Sequence, residues 1–270
     1  MGKVKAALAA LLALSGEAWV APRRAGGAPR RLGRRAATTV SVELGTTRAP
    51  ELGEAEEALA VASLREGASL ASLSDGDLAW FARDRRGDVR EARDKAQAYL
   101  RWRKDFGGLG CDRAELLERA RSERRKRVGY LARERDVLGR PTVVVVARRH
   151  DATRRSLRAS QALCLAVLED AVASLDGDGE QFLAVVDLRE VGPANVDIQF
   201  VLWLVNALRS YYPKRLGQVA LVDPPGALFE SAWNAIKPAV GRHAKLVRLI
   251  SNADLRRDYF PPGRTPRDLV

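Results

Sequence analysis

The pattern of apolar and polar positions divides most of the chain into two differently built halves. In residues 54–106, apolar side chains recur every three or four positions between charged ones, which is typical of amphipathic helices. The clearest case is residues 88–106, where Val89, Ala92 and Tyr99 share one face. The first half is therefore predicted to be a small all-α domain.

The second half alternates short apolar runs with longer amphipathic segments. Continuous runs rich in β-branched residues predict strands at 141–147, 182–187, 219–222 and 245–250. Helices are predicted between them, at 155–175, 196–211 and 227–236. This alternation favours an α/β fold in which helices pack on a sheet.

Residues 1–50 differ from both halves. Two lysines precede the apolar run Ala6–Leu14, and small residues follow it, which predicts a signal peptide. Residues 19–39 are rich in Arg and poor in acidic side chains, as transit peptides are. The combination resembles the bipartite leaders of proteins imported into secondary plastids, although Trp19 stands where Phe is usual. We expect plastid localisation, with a secreted, endomembrane or peripheral membrane protein as the alternative.

The net charge of +12 is unevenly distributed. Residues 1–50 contain nine basic and two acidic residues, so more than half of the excess lies in the predicted leader. The basic run Arg121–Arg127 lacks the interleaved aromatic residues of an RNA-binding sheet. Nucleic-acid binding is therefore not expected, and a basic module for nucleic acid or an acidic partner is the less favoured alternative.

Motifs for catalysis or metal binding are missing from the sequence. Cys111 and Cys164 are far apart, and neither histidine has a second ligand at helical spacing. No GxSxG elbow, Walker loop or HExxH motif is present. We therefore expect a protein that is not an enzyme and has no metal or cofactor.

Two separated segments carry a resemblance to a known family. The first reads LAWFARDRRGDV at residues 78–89 and YLRWRK at 99–104. The second spans residues 184–240 and contains YYPKRLG at 211–217. Both are similar to segments of the CRAL-TRIO lipid-transfer family. The resemblance implies an α/β fold with a mixed sheet and helices that form a lipid pocket, preceded by a small all-α domain.

The same resemblance implies the domain organisation and the partners. We expect a leader at 1–50, a helical domain at 54–131, a lipid-binding domain at 139–260 and a tail at 261–270. The expected protein is a monomer that binds a lipid ligand and transiently contacts an anionic membrane surface. A docking or regulatory module of the same fold, without cargo, is the alternative.

A lipid pocket is expected around the helix predicted at 196–211. Its apolar positions go most of the way around, which fits either a helix in the centre of a dense core or a helix with one face on the sheet and another lining a cavity. The resemblance favours the cavity. The resemblance places the following residues in the pocket: Val144, Val146, Leu163, Val185, Asp187, Phe200, Leu204, Leu208 and Leu221.

The segment 227–236 occupies the position of the family's mobile gate helix. An apolar face with aromatic rings beside Lys237 suits a membrane interface. The gate residues implied are Leu228, Phe229, Ala232, Trp233 and Ile236.

The resemblance implies that these cationic residues contact a lipid headgroup: Arg85, Arg86, Lys214, Arg242 and Lys245. Phosphatidylinositol binders of the family commonly carry an acid where this chain has Lys214, and an Asp-Pro-x-Thr turn where it has Val240–Ala244. These departures argue against phosphatidylinositol specificity. A phospholipid and a prenyl lipid both stay open as cargo.

Overall fold

The computed structural model describes residues 52–105, 112–175, 180–212 and 214–270. All of these residues belong to one compact unit, Leu44–Val270. The leader predicted at 1–50, Cys111 and the side chain of Arg242 lie outside the described residues.

The first part of the described chain is helical, as predicted. Helix α2 begins at a capping box in which the Ser74 hydroxyl accepts from the amide of Asp77 at 3.1 Å and the Asp77 carboxylate accepts from the amide of Ser74 at 3.2 Å. Leu64, Leu78 and Ala92 are fully buried in the small core of this part. Its helices are α1 (Glu54–Arg65), α2 (Asp75–Asp84), α3 (Val89–Asp105), α4 (Arg113–Arg119) and α5 (Arg121–Arg125).

A five-stranded sheet follows, with its strands in sequence order. The first two strands are antiparallel and the other neighbours are parallel, so the sheet is mixed, as expected. The strands are β1 (Gly129–Leu131), β2 (Thr142–Val146), β3 (Phe182–Asp187), β4 (Leu216–Val222) and β5 (Val247–Ile250). The strand β1 lies inside the predicted helical domain, because three residues are too few to show a strand period.

Parallel neighbours require crossover connections, and helices supply them. Ser156 caps the first of these helices, accepting from the amide of Ala159. The helices are α6 (Leu157–Ala173), α7 (Ile198–Ser210) and α8 (Gly226–Val240), and a short helix α9 (Asn252–Asp258) follows β5.

Aromatic and cationic side chains join the helical part to the sheet part. The ring of Trp102 stacks on Tyr211 with centroids 4.0 Å apart. The guanidinium of Arg215 lies 3.7 Å from the ring centroid of Trp80. These contacts bring together the two sequence segments that carry the family resemblance, so the predicted domains pack as parts of one unit.

Candidate functional site

The two faces of the sheet are assigned from strand register. Successive side chains on a strand point to opposite faces. Val143 and Phe182 lie in a core cluster with α6, which defines the helix-covered face. Val144 and its register partner Val185 therefore point to the other side. This side is called here the C-terminal face, because the C-terminal segment of the chain packs against it.

The C-terminal face is closed over β2, β3 and β4. Leu183, Ala220 and Val222 are fully buried there, beside Val144 and Val185. In the predicted tail, Leu269 is also fully buried, so this part of residues 261–270 packs on the rest of the structure.

The hydrogen bonds of Asp268 hold the end of the chain against the C-terminal face. Its carboxylate accepts hydrogen bonds from the hydroxyl of Tyr130 at 2.7 Å and from the guanidinium of Arg149. Tyr130 is the register partner of Val144, which places Asp268 on this face. Burial alone would raise the pKa of Asp268, but these hydrogen bonds outweigh it and lower the pKa to about 2.

Four of the predicted pocket residues lie on this closed face. Val144, Val146 and Val185 are fully buried on the C-terminal face, where no space is left for a ligand. Asp187 is also fully buried and accepts hydrogen bonds from Arg148 at 2.7 Å and Arg189 at 2.9 Å. The sequence could not assign these residues to a face, because four consecutive valines in β2 show no alternation.

The helix-covered face is incompletely covered. Val143 in β2 is buried, whereas Val186 in β3 and Leu221 in β4 are half-buried. Leu249 in β5, the register partner of Leu221, is 60% exposed. Apolar surface on this face thus becomes more accessible from β2 towards β5.

The three crossover helices show the same gradient. In α6, ten residues are buried, including Leu165 and Ala166. In α7, Ala207 is the one buried residue, and in α8 it is Val240. Both α7 and α8 are nevertheless strongly apolar, so part of their apolar surface remains accessible.

Of the remaining predicted pocket residues, some lie in or beside the packed core and others are only half-buried. Leu163 is buried in the core cluster, and Leu204 and Leu208 pack at its margin. Phe200 and Leu221 are half-buried. The structure thus places Phe200, Leu204, Leu208 and Leu221 on the helix-covered side of the sheet.

Asp197 fixes the start of α7. Its carboxylate accepts from the amide of Phe200 at 3.0 Å, from the guanidinium of Arg155 at 2.9 Å, and contacts Nε2 of His150 at 3.1 Å. Burial would raise the pKa of Asp197, but the hydrogen bonds from Arg155 and the amide of Phe200 lower it. The apolar helix is thereby held at its amino end.

The predicted gate residues share one side of α8. Leu228, Phe229, Ala232, Trp233 and Ile236 are all half-buried, and the rings of Phe229 and Trp233 stack at 6.0 Å.

Residues that interrupt regular helical geometry occur at both ends of α8. Its N-cap, Pro225, supplies no side-chain hydrogen bond, and Gly226 has a positive φ of 29°. Pro238 lies inside the last turn and has no amide hydrogen to donate, and Gly241 follows with φ 53°.

Two of the predicted headgroup residues meet near the end of α2. The ammonium of Lys214 donates to the carbonyl of Arg83 at 2.9 Å, and Arg85 pairs with Asp84 at 3.2 Å. Lys95, which the sequence reading missed, pairs with the same Asp84 at 2.5 Å. Only a tertiary contact reveals Lys95, because on α3 it has the spacing of an ordinary solvated lysine.

The other headgroup residues are less closely associated. Arg86 is exposed, with a positive φ of 54°. Lys245 is exposed in the turn before β5, and the described contacts do not join it to Lys214. The side chain of Arg242 is outside the described part of the structure.

Within the described ranges, no cluster of three His, Cys, Asp or Glu side chains could hold a metal ion. Over the same ranges, no helix has the length and apolar character needed to cross a bilayer.

The chain resembles known proteins in both sequence and fold. Residues 125–268 match the CRAL/TRIO domain. Phosphatidylinositol transfer protein CSR1 of Eremothecium gossypii is 27% identical over 206 residues, covering 72% of this chain and 46% of that protein. This chain thus spans about half the length of that curated relative. The crystal structure of Sfh5 shares the fold, with a TM-score of 0.60 at 13% identity over 78% of this chain and 85% of that one. Because the matched domain covers more than half of the sequence, the chain belongs to the CRAL/TRIO domain family.

Proposed function

We propose that this protein binds a lipid between the helix-covered face of the sheet and helices α7 and α8, and transfers it between membranes. The observation that carries the proposal is the half-covered apolar surface of these three elements. Apolar surface left accessible forgoes about 25 cal/mol per Å² of burial energy, and a bound acyl or prenyl chain would recover it. No catalytic step is part of this function.

Helix α8 is the moving element of the proposed carrier. Its apolar side covers the lipid when closed and enters the membrane interface when open. Pro225, Gly226, Pro238 and Gly241 at its two ends support such a motion, because each interrupts regular helical hydrogen bonding or permits an unusual φ. Exposed Lys237 would contact anionic lipid during opening.

A phospholipid is the proposed cargo. Arg85, Lys95 and Lys214 form a cationic group around residues 83–85, and cations of this kind complement a phosphate. The similarity to a protein named as a phosphatidylinositol transfer protein supports the same class. A prenyl lipid is the outcome that would contradict the phospholipid assignment while keeping the carrier.

The carrier is tested by lipid transfer between vesicles containing anionic phospholipid. The double variant Phe229→Ala/Trp233→Ala removes the stacked rings of α8 and should slow transfer roughly tenfold, since each ring contributes large apolar area at an interface. The matched control Ser231→Ala/Asn234→Ala changes the exposed side of the same helix and should transfer at the parent rate. Parent-rate transfer by the first variant, shown to be folded, would exclude α8 as the gate.

Cargo is identified by mass spectrometry of lipid extracted from purified protein after incubation with total membranes. A single phospholipid class in near-stoichiometric amount is expected. Recovery of no lipid from folded protein would contradict the carrier and favour a docking module of the same fold.

Plastid delivery of this carrier is a proposal that rests on the sequence of residues 1–50. A fusion of these residues to a fluorescent protein should enter a secondary plastid in an algal cell. Secretion of the fusion, or retention in the endomembrane system, would contradict plastid delivery and leave the lipid-binding proposal unaffected.

A further inference from the structure

A second site lies away from the proposed lipid pocket, where the helical part meets the ends of α6 and α7. A cavity of about 590 Å³ is present there, within the range of roughly 300–1,000 Å³ that is usual for small-molecule sites. No residue of α8 or of β2, β3 and β5 lines it. Much of its wall is apolar or aromatic: Leu73, Phe81, Tyr99, Leu100, Val172 and Tyr211.

Arg215 brings an incompletely satisfied cation to this cavity. Its guanidinium stacks on the ring of Trp80, and the nearest carboxylate oxygen, on Asp77, is 3.6 Å away, which is too far for a hydrogen bond. Asp77 is itself engaged in the capping box with Ser74. Among the described residues, the Arg215 guanidinium therefore has no hydrogen-bond acceptor, and burial lowers its pKa to about 10.

Trp80 brings a second donor to the same wall. It is 5% exposed, and its Nε1–H has no hydrogen-bond partner in the described structure. A buried donor without an acceptor is destabilising, typically by about 1–3 kcal/mol. Arg215 and Trp80 thus place two neighbouring donors in the wall of the cavity, and neither has a hydrogen-bond acceptor among the described residues.

The carboxylate of Glu169, which also lines the cavity, is engaged with other partners. Glu169 accepts from the hydroxyl of Tyr212 at 2.5 Å and pairs with Arg103 at 2.9 Å. Arg103 also donates to the hydroxyl of Tyr99. These groups pair with one another and leave the donors of Arg215 and Trp80 to a ligand.

We propose that this cavity binds a small organic monoanion whose carboxylate accepts hydrogen bonds from Arg215 and Trp80 and whose apolar body lies against the aromatic wall. A carboxylate supplies the acceptors that both donors lack and the negative charge that a poorly hydrated guanidinium favours. The site is independent of the proposed lipid pocket, because its lining includes none of the proposed gate residues.

The test uses isothermal titration calorimetry with two carboxylate probes, 2-naphthoate for a planar body and decanoate for a flexible chain. At least one should bind with one-to-one stoichiometry. The neutral amide of the same body should bind roughly tenfold more weakly, because it lacks the charge-assisted hydrogen bonds. Loading the protein with phospholipid beforehand should leave this binding unchanged.

Variants assign the binding to the cavity. Arg215→Gln should weaken the carboxylate roughly tenfold, and Trp80→Phe, which keeps a ring but removes the donor, should weaken it by a smaller factor. Arg209→Gln removes the same charge from an exposed position of α7 outside the cavity and should bind like the parent. If Arg215→Gln does not fold, Trp80→Phe decides the result alone.

The following results would overturn the proposal. They are no binding of either probe, equal binding of carboxylate and amide, and unchanged affinity in the folded cavity variants. Displacement of the probe by phospholipid would assign it to the lipid pocket and would also contradict this site.

Discussion

The two faces of the sheet have similar side chains and opposite degrees of closure. On the C-terminal face, Leu183, Val185 and Val222 are fully buried, and Asp268 fastens the end of the chain over them. On the helix-covered face, burial falls from Val143 to Leu249, and the two helices beyond α6 remain largely half-buried.

The two faces differ in how completely other elements cover them, and not in how hydrophobic their side chains are. Strands β3 and β4 carry Val, Leu and Ala on both faces. The C-terminal face gains the full stabilisation of burial, whereas α7 and α8 leave part of theirs unrealised. Stability is therefore expected to depend mainly on the closed face, and ligand binding on the half-covered one.

The largest expected difference comes from truncating one leucine on each face. Leu183→Ala should lower the free energy of unfolding by about 2–5 kcal/mol, because it leaves a cavity in a closed region. Leu249→Ala, at a position already 60% exposed, should change it by at most about 0.5 kcal/mol. Urea denaturation followed by circular dichroism measures both, and equal losses would show that the faces do not differ.

A smaller effect is expected from weakening the hydrogen bonds that hold the C-terminal segment on the closed face. Asp268→Asn should lower the free energy of unfolding at pH 7 by about 1 kcal/mol, since it weakens hydrogen bonds between charged groups that are not fully buried. Glu190→Gln is the control, because Glu190 is 80% exposed and lies 3.8 Å from Arg148. Urea denaturation at pH 7 compares the variants.

The same variant has a defined pH dependence. The pKa of Asp268 in the folded protein is about 2, below the ordinary value of 3.8. A carboxylate with a depressed pKa stabilises the fold above its unfolded pKa and loses this effect as the pH falls through its folded pKa. The loss of unfolding free energy caused by Asp268→Asn should therefore be greatest at pH 7 and should become smaller between about pH 4 and pH 2. A loss of unfolding free energy that does not change with pH would contradict a stabilising role of the ionised Asp268 carboxylate.

The smallest effect on stability is expected from adding bulk to the half-covered face. Leu221→Trp should change the free energy of unfolding by at most about 0.5 kcal/mol, because the added ring enters accessible space. The ring should occupy lipid volume and lower the amount of lipid recovered. Val185→Trp on the closed face should instead destabilise by about 1–3 kcal/mol, since no space is present. Equal destabilisation by both would show that the half-covered region is filled.

Much of the fold was predictable from local pattern. The strand at Phe182–Asp187 and the helices near α6, α7 and α8 follow from continuous apolar runs and three- to four-residue periodicity. The short strand β1 was missed, because its pairing with β2 defines it more than its three residues do.

The sites were less predictable than the elements. Lys95 joins the cationic group through a contact with Asp84 that depends on how α2 and α3 pack. Trp80 and Arg215 carry no local signal for a cavity, and they meet because the helical part docks against the end of α7. Tertiary packing alone gives such residues a shared environment.

The sequence by itself determined the order of the longer helices and strands, the α/β class and the family resemblance, because these depend on periodicity and on local motifs. The tertiary structure decided which face of the sheet is closed. Val143–Val146 are four identical side chains, so no local property separates Val143 from Val144. Strand register and the fastening of the C-terminal segment make that distinction, since burial depends on what packs against a residue and not on the residue alone.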